Sequence, residues 1–273
     1  MKPAAFAYSR PTALDEAIGL LGDPGARALA GGQSLVPMLN LRLAPVERLV
    51  DLGRIEALRE VRETPEAVFY GASTRHAAFE DGLVPDASNG LMRHVAGRFA
   101  YRAVRNRGTI GGALALADPA ADWLLTVVTL EARLHLQGPQ GRRVVPAEEF
   151  VLGPYFTALN DGELIVAVEV PRRPAAESWG YSKVTTKIGE YAESMALALF
   201  NPAAKTARLV LGAADGAPIV LNESAAAWAA GQSGAALRPL ILRELDAAER
   251  DFSPAKRHMH ATTLLRATQD ATK

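Results

Sequence analysis

Arg107-Gly108-Thr109-Ile110-Gly111-Gly112-Ala113, running on to Ala117-Asp118-Pro119-Ala120-Ala121-Asp122, is the stretch on which the reading of this chain turns. Paired glycines let consecutive backbone N–H groups converge in conformations closed to other residues, so such a loop makes a concave anion site. A second pair lies far upstream, in Ala30-Gly31-Gly32-Gln33-Ser34, at the exit of a predicted strand. Ser34 and Thr109 add hydroxyls. Taken singly, each pair also fits a plain tight turn. Taken together, two such loops suit a pyrophosphate and imply a cofactor held between two lobes. Neither loop matches Gly-x-Gly-x-x-Gly and no Gly-Lys-Ser/Thr follows, so a Rossmann or Walker-type site is unsupported.

Working outward, residues 88–104 carry Leu91, Val95, Phe99 and Ala103 at steps of four beside Met92, Ala96, Ala100 and Val104. That spacing predicts one helix with a broad buried stripe. Arg98, Arg102 and Arg105 lie off it and fit a solvated helix face, with phosphate steering or partner docking as the other reading. Downstream, Asp118 and Pro119 predict the N-cap and first position of a helix running through Trp123 to Leu130. Residues 132–145 read as a hairpin turned at Gly138-Pro139-Gln140-Gly141.

Nearer the start, Thr12 is the predicted cap of a helix with Leu14, Ala17, Ile18 and Leu21 on one face, stopped by Gly22-Asp23-Pro24-Gly25. Residues 27–30, 48–52 and 67–70 read as strands, with an apolar run at 35–41 between the first two, so this region is an α/β layer. A strand over 163–170 ends at Pro171, and Arg172-Arg173-Pro174-Ala175 reads as a linker. Beyond it, alternating runs at 181–187, 196–200 and 207–212 precede helical material at 224–230, 236–250 and from 255 onward. Strands first and helices after mark a separate unit, an antiparallel sheet plus helices. The expected fold class is therefore α+β, with domains over 1–174 and 175–273.

The chain has 273 residues, with 30 basic and 30 acidic side chains and 49% hydrophobic residues. Phosphate neutralisation supplies most of the affinity of a nucleic-acid binder, and this balance offers no basic excess for it. No apolar run is long enough for a membrane span. Met1-Lys2-Pro3-Ala4-Ala5-Phe6 lacks the apolar core of a signal peptide, so the expected location is the cytoplasm. The absence of cysteine removes disulfides, thiolate zinc sites, cysteine-held iron–sulfur clusters and a cysteinyl flavin link. The histidines at 76, 94, 135, 258 and 260 show no His-Glu-x-x-His spacing, and no metal site is expected. His76 alone lies near a candidate loop and reads as a surface or turn residue.

Two further runs, Phe6-x-Tyr8-x-Arg10-Pro11 and Lys187-Ile188-Gly189-Glu190-Tyr191-Ala192, join the two glycine loops in order along the chain. With them the sequence resembles, over essentially its whole length, the FAD-binding medium subunit of the molybdenum hydroxylases. That family includes carbon monoxide dehydrogenase, xanthine dehydrogenase and bacterial N-heterocycle dehydrogenases. The resemblance implies a two-lobed FAD-binding domain of the vanillyl-alcohol oxidase type, followed by a small α+β C-terminal domain. It implies that Ala30, Gly31, Gly32, Gln33, Ser34 and Leu35, together with Thr109, Ile110, Gly111, Gly112 and Ala113, wrap the FAD pyrophosphate and adjoining groups. Phe99 matches an aromatic position near the cofactor, Asp122 an acidic contact, Ile165 a backbone or apolar contact near the flavin, and Lys183 a basic one. Tyr191 matches a tyrosine near the isoalloxazine face. Each has a plainer reading: core packing for Phe99 and Ile165, a helix-dipole acid at Asp122, a surface charge at Lys183, an interface ring at Tyr191.

The implied function is electron transfer through non-covalently bound FAD. The molybdenum cofactor belongs to a large partner subunit and the 2Fe–2S clusters to a small one, since a cysteine-free chain holds none. The assembly is expected to be a heterotrimer or a dimer of heterotrimers, and no catalytic base is required here. Ala113 and Leu116 stand where the family usually carries asparagine, which removes side-chain hydrogen bonds of about 1 kcal/mol each. That departure keeps open an FAD-free scaffold subunit. A self-contained flavin oxidoreductase is the other alternative, against which the two domains already fill the length.

Overall fold

In the computed structural model residues 2–273 are described; Met1 of the opening stretch lies outside them. Three short parallel strands begin the fold, with Arg48–Asp51 between Ala7–Ser9 and Ala26–Leu29. The helix Leu14–Leu21 seals them, burying Ala17 and Ile18 against Val50, Leu52, Ile55 and Leu58 in a small core. Thr12 does not cap this helix by its side chain. Ala13 occupies the N-cap, and the Thr12 N–H instead donates to Glu16, 3.3 Å away. The apolar run after the first glycine loop forms the short helix Leu35–Asn40.

The second layer is a five-stranded antiparallel sheet in the order Val61–Glu63, Ala67–Gly71, Leu164–Pro171, Arg133–Gly138, Gly141–Pro146. The predicted hairpin is its far edge. Its central strand Leu164–Pro171 shifts register between Ile165 and Ala167. At that irregularity the Val166 carbonyl accepts the Ala72 N–H at 3.0 Å, the first link to the second glycine loop.

Two helical expectations are corrected. The helix predicted over 88–104 is two short ones, Leu91–Ala96 and Arg102–Arg105. Gly97 ends the first, Ala100 sits at φ 51°, and the Arg105 guanidinium bonds the Phe99 and Ala100 carbonyls at 3.0 and 2.8 Å. Arg105 also grips Glu80, and Arg102 pairs with Glu80 and Asp81 at 2.7 and 2.6 Å, so these two are not a merely solvated face. Arg98 is exposed as expected. The helix predicted with Asp118 as its cap begins three residues later, as Asp122–Thr129 with Ala121 at its N-cap. Ala117, left-handed at φ 52°, closes the preceding helix Ile110–Leu116, and Asp118 caps the turn between them by accepting the Ala120 N–H at 3.0 Å.

The C-terminal strands Ser178–Val184, Ser194–Asn201, Thr206–Gly212 and Ile219–Val220 lie side by side, antiparallel and in chain order. Helices Asn222–Ala229, Arg238–Ala247 and Pro254–Ala271 follow. Alternation along Ser194–Asn201 serves two cores. Met195, Leu197 and Leu199 join the main cluster with Leu124, Leu125 and Val128, while Ala196 and Ala198 join the cluster built on the C-terminal helices. The sheet is thus roofed by its own helices and floored by the helix Asp122–Thr129. Among the described residues no helix is long and apolar enough to cross a membrane.

Candidate cofactor site

The two glycine loops touch. A Cβ placed on Gly31 would collide with the Arg107 carbonyl oxygen and lie 2.7 Å from the Gly108 Cα, so only glycine permits this approach. Gly32 adds a left-handed φ of 73°, which turns the chain into the helix Leu35–Asn40. On the other side the second loop is hung from the central sheet by backbone bonds. Gly111 N–H donates to the Ala72 carbonyl at 2.9 Å, Ile110 N–H to Thr74 at 3.0 Å, and His76 N–H to Gly108 at 3.0 Å. Thr109 caps the helix Ile110–Leu116 by accepting the Gly112 N–H at 3.1 Å.

What remains unpaired defines the site. Among the described residues, the backbone N–H groups of Gly31, Gly32, Gln33, Ser34 and Thr109 donate to no group of the chain. Unpaired backbone donors in a half-buried loop are costly unless water or an anion takes them. The Gln33 side-chain amide bonds the Gly31 carbonyl at 3.3 Å, which ties the loop to itself. Two surface depressions of about 460 and 480 Å3 lie elsewhere and include none of these residues. The junction of the loops is therefore distinguished by its donors, not by cavity size.

The family described as FAD binding domain in molybdopterin dehydrogenase matches residues 4–173. The chain belongs to that family. It is a FAD-binding medium subunit of the molybdenum hydroxylase kind, among oxidoreductases. It is 41% identical over 194 residues to the carbon monoxide dehydrogenase medium chain of Hydrogenophaga pseudoflava, covering 70% of this chain and 68% of that one. Its structure is similar to carbon monoxide dehydrogenase from the same organism, with a TM-score of 0.89 and 33% identity, over 100% of this chain and 99% of the other. Quinoline 2-oxidoreductase from Pseudomonas putida 86 gives a TM-score of 0.82 at 31% identity, with both chains fully covered.

In this medium subunit the remaining expected residues differ in burial and in partners. Phe99 is half-buried, edge-on to His76 and Trp123 with ring centroids 4.9 and 5.7 Å apart, next to the second loop. Asp122 and Lys183 meet as a buried ion pair, the ammonium 2.9 Å from both carboxylate oxygens. Ile165 lies in the main core, 5% exposed, one residue before the carbonyl that anchors Ala72. Ile110 and Gly111 are buried, Gly112 and Ala113 half-buried. Tyr191 is 60% exposed, and partial burial with the Asp118 and Tyr155 charges pushes its hydroxyl above its ordinary value.

His76 is a correction. It is buried, and its Nδ1 accepts the Trp123 indole N–H at 2.9 Å. Burial and the nearby Arg105 charge push its pKa down to about 3, so the imidazole is neutral. It is a packed support beneath Gly108, and the reading as a surface residue fails on that burial. Sequence reasoning also missed Tyr181, whose hydroxyl donates to Asp122. The signal was present as the alternation Trp179, Tyr181, Lys183, which puts all three on one face of a strand.

Proposed function

We propose that this chain holds FAD non-covalently across its two glycine loops and passes electrons from iron–sulfur clusters of a partner subunit to a terminal acceptor. The observation that carries the reading is the contact of the two loops together with their unpaired backbone donors. Gly31 to Ser34 and Thr109, whose N–H groups are unpaired, would take the diphosphate, as anions are taken by converging N–H groups, with Ile110 to Ala113 bordering it. Phe99, Ile165 and Tyr191 would border the rest of the cofactor, and Lys183 would supply positive charge. FAD, when bound, supplies the redox chemistry; the chain orients it and excludes water from it.

In this reading residues 1–174 form the two-lobed domain of the vanillyl-alcohol oxidase type and 175–273 close over it. The molybdenum cofactor and the 2Fe–2S clusters sit in a large and a small partner, in a cytoplasmic heterotrimer or dimer of heterotrimers. The test is the absorbance spectrum of the complex purified with its partners, followed by denaturation and filtration. A flavin spectrum with FAD recovered in the filtrate is expected. Flavin retained on the denatured peptide would sink the non-covalent assignment. A complex with flavin neither in the filtrate nor on the peptide would favour the scaffold reading to which Ala113 and Leu116 point.

A further inference from the structure

The strand Ser178–Val184 is a plate with two different faces. Ser178 and Gly180 turn toward the helix Pro254–Ala271: the Ser178 hydroxyl reaches the Ala271 carbonyl, and the Ala267 carbonyl fills the space a Gly180 side chain would need. Trp179, Tyr181 and Lys183 turn the other way, and each carries a polar tip to an acceptor in the N-terminal part. Trp179 donates to the Asn89 carbonyl at 2.8 Å, and Tyr181 and Lys183 both donate to Asp122. The His94 ring lies 4.8 Å from Trp179 and 5.8 Å from Tyr181.

The stoichiometry of donors is informative. An ionised carboxylate offers about four acceptor positions. Tyr181 and Lys183 take three of those at Asp122, whose side chain is 5% exposed. A lysine ammonium has about three N–H groups. Lys183, 10% exposed, gives two to Asp122 and has no other acceptor among the described residues. About one acceptor position on the carboxylate and one N–H on the ammonium remain unused within the chain.

We propose that Tyr181 is a positioning residue of the cofactor site. Acting through Asp122, it fixes the Lys183 ammonium, whose remaining N–H this side of the site offers to FAD. The inference rests on the FAD-binding reading above and gives Asp122 the role of anchor for the lysine. A buried carboxylate holding one lysine has rotational freedom that a second donor on the same oxygen removes; that is the work of the phenol. Burial and Asp122 push the Tyr181 hydroxyl well above its ordinary value, so it stays a donor throughout the physiological range.

The experiment uses the full chain, with FAD titrated by calorimetry, thermal melts without FAD, and the reduction potential of the bound flavin. Lys183→Met should weaken FAD binding about tenfold, the loss of one charge-assisted hydrogen bond. Lys183→Arg, which keeps charge and donors, should restore most of it. Tyr181→Phe should weaken binding about threefold and lower the flavin potential in the same direction as Lys183→Met. Trp179→Phe is the control: it loses the tether to Asn89 and melts earlier, but should leave affinity and potential unchanged. A Tyr181→Phe protein that behaves like Trp179→Phe would overturn the proposal, as would an Asp122→Asn protein that loses FAD while Lys183→Met keeps it. Wild-type chain that binds no FAD would instead bring down the reading beneath it.

Discussion

The junction of the glycine loops and the C-terminal sheet hold their shapes by opposite means. Around the loops the helices are short, Leu91–Ala96, Arg102–Arg105 and Ile110–Leu116, and residues such as Ala100 and Ala117 sit in left-handed conformations. Order there comes from specific backbone bonds and from Arg105 and Thr109 as caps. In the C-terminal unit, strands of seven and eight residues pair in register and bury both faces. Order there comes from area removed from water. Non-glycine residues in left-handed conformations cost of order 1–3 kcal/mol each and persist where the surroundings over-determine them. Such residues also occur in the C-terminal unit, at Lys205, Ala213, Asp215 and Glu249, so the two regions differ in what holds them, backbone bonds at the loops and buried area in the sheet.

The seam between these regions should be the most sensitive point. Asp122→Ala leaves the buried Lys183 without its partner, and breaking such a pair costs about 3–5 kcal/mol. Denaturant unfolding of the FAD-free chain should show that loss. A value below about 1 kcal/mol would mean that the seam is solvated and the two regions are uncoupled. Leu197→Ala strikes the sheet alone. Leu197 is fully buried, and the truncation should cost about 2–5 kcal/mol, lowering Tm by roughly 10 °C. The protein that remains folded should bind FAD with unchanged affinity; a fall in affinity would contradict the division of labour. Gly31→Ala is its mirror image. Its methyl meets the Arg107 carbonyl and Gly108, so the loops must part. FAD affinity should drop up to about a hundredfold, with only about 1–3 kcal/mol lost from the FAD-free fold.

What the sequence revealed follows the range of the forces involved. The glycine loops were legible because backbone permissiveness is a property of the residue itself. The C-terminal strands were legible because alternation over seven or eight residues leaves little choice of period. The helix over 88–104 was misread because its apolar stripe runs on past Gly97. The break is enforced by Arg105, which is drawn to Glu80 across 25 positions of chain. Asp118 had the composition of an N-cap, but Ala117 turning left-handed just before it converted that residue to a turn cap. The pairing of His76 with Trp123 spans 47 positions and that of Asp122 with Lys183 spans 61, and no local pattern announces either.

Acid distinguishes the two regions by one buried histidine in each. Burial pushes His76 near the loops down to about 3 and His260 under the C-terminal helices down to about 4. Unfolded, both titrate near 6.5, so the unfolded chain takes up protons that the folded chain refuses. Their contribution is complete above about pH 6.5 and declines as pH falls below it toward the folded values, by about 1.4 kcal/mol per unit for each. Between pH 6.5 and 5 most carboxylates are still ionised in either state, so the slope of Tm there reports the histidines. His76→Gln and His260→Gln should each remove a large part of it, the rest coming from His94, whose pKa burial and Arg98 also lower. An unchanged slope in His76→Gln would mean that the ring beneath Gly108 accepts a proton in the folded chain.

The smallest expected effect tests how far the loop backbone suffices. Ala113 sits half-buried in the helix Ile110–Leu116, its N–H bonded to Thr109 at 3.0 Å, where the family usually carries asparagine. Ala113→Asn restores an amide beside the backbone donors. One added hydrogen bond of about 1 kcal/mol corresponds to about a fivefold gain in FAD affinity. Asparagine is the poorer helix former by about half a kcal/mol, so the FAD-free chain should melt about 1–2 °C lower. The two shifts have opposite signs, which separates a cofactor contact from a general change in stability. A lower melt with no gain in affinity would mean that the unpaired N–H groups of Gly31 to Ser34 and Thr109 hold the diphosphate by backbone alone, without the missing amide.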